Sequence, residues 1–213
     1  AIGKNALGAN TGGVNNIAVG RDALQSNTTS AYNVAVGDQA LYSNTGTQNV
    51  AVGGMTLMNN TTGMNNVAIG IEAVKLNTTG SNNIGIGAGT LDANTTADNN
   101  TAVGHAAMTA NTTGTQNTAV GAYTLGYSAL QTNTTADNNV AVGYYALLLN
   151  TTGTQNTAVG NYALDANTTA NYNSAFGYGS LTGNTTGNNN TALGYSALNS
   201  NTTAGDNTAV GYY

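Results

Sequence analysis

The sequence predicts an all-β protein: a parallel β-solenoid with one 17-residue repeat per coil and about twelve coils, forming a single repetitive segment over residues 1–213. The first observation is a glycine that closes A-V-G and recurs at Gly3, Gly20, Gly37, Gly53, Gly70, Gly87, Gly104, Gly121, Gly143, Gly160, Gly177, Gly194 and Gly211. Only the steps Gly37–Gly53, one residue short, and Gly121–Gly143, five long, depart from 17. The second is a run of β-branched residues ahead of that glycine, the signature of a strand rather than a helix. The third is a pair of asparagines held at fixed places in every complete repeat. A period this short, with a strand and a glycine in each unit, gives one solenoid coil per repeat and no single globular core.

The elements follow in order along a unit such as Asn156–Thr169. The strand is Thr157-Ala158-Val159, and alternation sends its first and third residues to one face. Their size assigns that face to the coil interior. The small middle residues, Ala35, Ala68, Ala102, Ala141, Ala158 and Ala192 among them, then point outward and form a flat stripe suited to lateral packing. Glycine turns the chain where φ is positive or a side chain would clash. A second short strand ends in a small residue and a large one, as in Ala163-Leu164. Asn-Thr-Thr makes the return turn, since both residue types bond their own backbone. Coils about 4.8 Å apart would build a rod roughly 55–60 Å long.

One asparagine ladder lies four residues before each glycine and includes Asn33, Asn66, Asn100, Asn156 and Asn190. The other opens the turn and includes Asn27, Asn77, Asn111, Asn167 and Asn201. Stacked amides bond from coil to coil and satisfy backbone groups in the turns. Two or three buried apolar side chains per coil contribute roughly 5–8 kcal/mol, less than the ordering of 17 residues costs. Burial of the alanine stripe against other chains would make up part of the difference, and a homotrimer or lateral fibre packing is the expected assembly.

Composition narrows function. Charged residues are 5% of the chain, and the net charge is −5. No basic patch exists for nucleic acid or anionic lipid. There is no cysteine, which excludes disulfide scaffolds and thiolate metal sites. No apolar run approaches a membrane span. Both ends fall inside a repeat and no signal peptide is present, so the chain reads as a piece of a longer fibre whose remainder carries targeting, anchoring or receptor binding.

The motifs Asn33-Val34-Ala35-Val36-Gly37 and Asn66-Val67-Ala68-Ile69-Gly70 resemble the S-V-A-I-G head repeats of YadA-type trimeric autotransporter adhesins. The fuller form N-T-A-V-G-Y-x-A-L-x-x-N-T-T-G, closely matched at 190–203, also resembles repeats of phage tail fibres and of bacterial surface proteins that end in a self-cleaving chaperone domain. The resemblance covers the whole chain. It implies a trimeric left-handed β-roll, extracellular, on a cell surface or virion. The adhesin repeat is shorter, and no stalk, anchor or chaperone domain is present here.

No catalytic constellation emerges. His105 occupies a variable position also filled by Lys4, Arg21 and Asp38, and the acidic residues do not recur at one place, which argues against calcium loops. No catalytic residue, metal or cofactor is expected. Tyr127, Tyr144, Tyr178 and Tyr195 share the place after a glycine and are candidates for stacking against a cell-surface glycan or host receptor. Asn-Thr-Thr also matches the N-glycosylation pattern. The insertion in 121–130 duplicates G-x-x-x-L and is expected to bulge from one coil. The function these features favour is a structural and adhesive fibre segment giving reach, rigidity and multivalent contact. An ice-binding solenoid with stacked threonine columns is the alternative, and a polysaccharide-acting enzyme is a third reading that lacks an acidic cluster.

Overall fold

The computed structural model describes residues 1–123 and 135–213. Twelve three-residue strands, β1 (Ile17–Val19), β2 (Val34–Val36), β3 (Val50–Val52), β4 (Val67–Ile69), β5 (Ile84–Ile86), β6 (Thr101–Val103), β7 (Thr118–Val120), β8 (Val140–Val142), β9 (Thr157–Val159), β10 (Ser174–Phe176), β11 (Thr191–Leu193) and β12 (Thr208–Val210), form one sheet in sequence order. Every neighbouring pair is parallel, and like residues face like residues, as in Ala158 beside Ala175 and Val159 beside Phe176. The one-residue-short coil keeps this register, since Val34 still pairs with Val50. This is the parallel β-solenoid that the repeat predicts.

Among the described residues the expected second strand does not form. After the repeat glycines the chain instead runs through consecutive turns, with left-handed φ at alternate residues such as Asp22 (56°) and Leu24 (51°). The wall is still held from coil to coil, by Leu24 N–H donating to Ala40 O (3.0 Å) and Ser26 N–H to Tyr42 O (3.0 Å). A leucine in the left-handed region costs roughly 1–2 kcal/mol. Full burial of its side chain returns about 2–3 kcal/mol, and Leu24, Leu41 and Leu164 are all fully buried. Burial therefore wins, and the conformation aims each leucine inward.

That wall explains a second correction. The middle alanines of the strands face the interior: Ala35, Ala68, Ala102, Ala141, Ala158 and Ala192 are 0% exposed within a single chain. They cannot be a lateral interface. The interior is filled by the opposing Leu and by both asparagine ladders, which leaves the strand wall room for little more than a Cβ. At β5 even that room is gone: a Cβ on Gly85 would lie 2.6 Å from Val74 Cγ2. The branched first and third residues consequently point outward.

The glycine that sets the period has φ near 130°, as at Gly20 (135°), and a Cβ there would overlap the carbonyl oxygen of Gly37 in the next coil. Both reasons for glycine hold together.

Candidate functional surfaces

The asparagine ladders form the interior scaffold. Asn66 accepts the backbone N–H of Asn83 on its Oδ1 (2.9 Å) and donates from Nδ2 to Gly80 O (2.9 Å). Asn77, in the second ladder, donates to the same Gly80 oxygen (2.9 Å) and to Asn60 Oδ1 (2.7 Å). One carbonyl therefore ties the two ladders together across the coil. The pattern repeats at Asn100 and Asn111 on Gly114 O and at Asn156 and Asn167 on Ala170 O. Asn27 shares Ser30 O with Asn16, Asn33 shares Gly46 O with Asn44, and Asn190 and Asn201 converge on Ala204 O.

Among the described residues the turn asparagines of the inner coils, such as Asn77 and Asn167, are buried and spend their amide hydrogens internally, so in the folded rod these side chains are closed to N-glycosylation. The first threonine of the turn is also committed, as in Thr61 Oγ1 donating to Thr78 O (2.9 Å) and Thr168 to Thr185 O (3.1 Å). The second threonine stands exposed, as at Thr79 or Thr152, and in several coils the first does too, as at Thr28 and Thr61.

The outer face of the sheet carries an apolar third-position column from β1 to β12, and an apolar first-position column from β1 to β5 and again at β8. Ile17 (55% exposed), Ile69, Ile84, Ile86, Val120, Val140, Phe176, Leu193 and Val210 project from these two columns. One column along ~55 Å of rod, joined by a second ~7 Å away over the first five strands, makes a strip on the order of 400 Å², within what a monomer leaves to water.

An aromatic edge runs along the turns after the glycines, from His105 onward. His105 meets Tyr123 edge-on at 5.2 Å, and Tyr123 meets Tyr144 at 6.1 Å. Tyr144 stacks on Tyr145 (4.0 Å), and Tyr162 sits edge-on to both. Tyr178, Tyr195 and Tyr212 then stack with 10° between planes at 5.1 and 4.9 Å. Tyr144, Tyr178 and Tyr195 thus share one edge, while Tyr127 and most of the 121–130 insertion lie outside the described residues. The structure adds Tyr123, Tyr145 and Tyr162, two places after their glycines. The signal for them was available, since a turn projects both of its corner residues to one side. In the stacked trio the faces are turned on each other, so edges and hydroxyls, rather than ring faces, meet solvent. A hydrogen bond with Tyr145, with help from desolvation and the surrounding phenols, pushes the Tyr144 hydroxyl up to about 12. Tyr195 is raised too, chiefly by desolvation.

Charged groups are sparse, and Arg21 and Lys75 are ion-paired. Arg21 forks onto Asp38 of the next coil (2.7 and 2.8 Å), which holds that carboxyl below its ordinary value. Half-buried Asp165 is raised by desolvation despite accepting the Thr182 hydroxyl (2.6 Å). Among the described residues no three His, Cys, Asp or Glu side chains gather as metal ligands, and no pocket opens. Among them, too, no helix is long and apolar enough to cross a membrane. Comparison with protein-family models, with curated proteins and with solved structures gives no match.

Proposed function

We propose that this chain is a structural and adhesive fibre segment, displayed on a cell surface or virion, in which copies pack side by side as a homotrimer. The rigid β-solenoid supplies reach. The observation that carries the reading is the apolar strip along the outer sheet face, a surface that a second copy would cover. It takes over the packing role that the sequence had suggested for the alanines.

The chemistry of the strip also favours an orientation. Its first column is Ile or Val from β1 to β5 and mostly Thr from β6 onward. An antiparallel pair would set the isoleucines of one chain against the threonines of the other. Parallel rods around a shared axis keep like coils level, and each chain offers one column to each neighbour, which closes a ring. The resemblance to YadA-type head repeats supports three chains and a left-handed roll. Exposed Thr, Asn and Tyr side chains repeated along the rod supply weak multivalent contacts to a glycan or host receptor.

The natural absence of cysteine makes the test clean. An equimolar mixture of Ile84→Cys and Ile86→Cys chains, both in β5, should form 84–86 disulfide-linked pairs under mild oxidation. Ile86→Cys mixed with Val142→Cys in β8, the level it would meet in an antiparallel pair, should form no 86–142 bond. An 84/86 mixture whose thiols stay unpaired and react freely with maleimide would remove the strand-face interface. An 86–142 bond would establish antiparallel pairing instead.

A further inference from the structure

We infer that the aromatic edge is a site of oxidative tyrosine coupling, at which successive coils become joined by carbon–carbon bonds between Tyr178 and Tyr195 or between Tyr195 and Tyr212. Three observations converge on it. The rings are stacked with 10° between planes at 5.1 and 4.9 Å, so the partners are in contact before any oxidation. Their backbones belong to neighbouring coils, ~4.8 Å apart, so a bond needs only side-chain rotation. All three rings are exposed to a soluble oxidant.

The composition points the same way. The chain holds 12 tyrosines, one phenylalanine, and neither tryptophan nor cysteine. Tyrosine is therefore the aromatic group open to one-electron oxidation, without an indole or thiol to divert the radical. A fibre without cysteine also has no disulfide with which to staple its coils.

The co-reactant is a peroxide used by a one-electron oxidant such as a peroxidase. Each phenol loses one electron and its hydroxyl proton and becomes a neutral radical with spin on the ortho carbon. Two ortho carbons form the new bond, and the hydrogens they carried move to the two oxygens, restoring both phenols. The two electrons and two protons released reduce one hydrogen peroxide to two waters. Prior contact of the rings makes the pairing intramolecular, so it outruns encounters between chains.

The molecule carries its own controls. Tyr32 and Tyr172 are 59% and 58% exposed, yet among the described residues no ring contact reaches either. The dilute 213-residue chain is treated with peroxidase and hydrogen peroxide, digested, and mapped by peptide mass. The expected products join 178 to 195 and 195 to 212 within one chain, each two hydrogens lighter, with Tyr32 and Tyr172 uncoupled. Tyr195→Phe keeps the stack but should abolish both products. Coupling spread over Tyr32 and Tyr172, links formed only between chains, or an unchanged yield in Tyr195→Phe would overturn the assignment.

Discussion

Gly85 stands where the other eleven strands carry alanine, and the reason lies in one neighbour. A methyl there would meet Val74 Cγ2 at 2.6 Å and Thr90 Oγ1 at 3.1 Å. Most other coils place leucine at the position of Val74, whose branch lies one carbon further out. Gly85→Ala is expected to cost about 1–3 kcal/mol by overpacking, read as a lowered thermal midpoint. The penalty should shrink in a Val74→Ala background, because the two residues share one space; an unchanged penalty would place the strain elsewhere. Asp165 offers a test by pH. Burial raises its carboxyl above the ordinary 3.8, so the folded state favours the protonated form. Its contribution to stability is present below 3.8 and is lost as pH rises through the higher folded value. Asp165→Asn keeps an acceptor for the Thr182 hydroxyl and removes the charge. The variant should melt higher than the parent at pH 7, and the gap should close on acidification below about pH 4. A gap independent of pH would mean that desolvation of the carboxylate is not the cause.

The coil is the next unit up, and the short one between Gly37 and Gly53 reveals what the ladders contribute. Residues 44–49 hold one residue fewer than 27–33, so Asn44 donates to Gly46 O (2.8 Å) two residues on, rather than three. It no longer reaches back to its predecessor, and Asn27 Oδ1 is left buried without a partner. Inserting one threonine between Asn44 and Thr45 recreates the Asn-Thr-Thr-Gly turn seen at Asn60–Gly63. The insertion should stabilise the chain by about 1–3 kcal/mol by satisfying that oxygen, with a raised thermal midpoint as the readout. A lowered midpoint would show that the shorter turn is preferred. This coil also shows why the ladders were legible in the sequence. Asn44 and Asn49 persist across the deletion, five residues apart where Asn27 and Asn33 are six, and a residue held in place while its spacing changes has a role in every repeat. Strand position and register were legible for the same reason, since β-branched residues precede every repeat glycine but Gly177. The facing of the strand was not. Val34, Ala35 and Val36 are all apolar, so alternation gives no polar side to place outward, and size alone sent the valines inward. What decides is the space left by Leu24, Leu41 and the amides, a property of the opposite wall. The wall after glycine misled in a similar way. Ala-Leu pairs read as a strand, while the left-handed φ of Leu24 arises from coil-to-coil bonding that no local propensity encodes.

At the scale of the whole molecule the rod is a thin coil, closely packed and amide-braced inside and apolar along one outer face. The interior alone is modest, with Ala, Ala and Leu per coil. The strip of Ile, Val, Phe and Leu is apolar surface that a single chain leaves unburied. In the proposed fibre, covering it by parallel copies would turn a slender solenoid into a stiff fibre and would leave the aromatic edge and the exposed threonines for contact with a target. The most direct measurement is the native mass of this chain by light scattering during size exclusion. The account predicts about three times the 21.2 kDa of one chain, held at dilution. A folded species of 21.2 kDa, stable with its strand face in water, would contradict it.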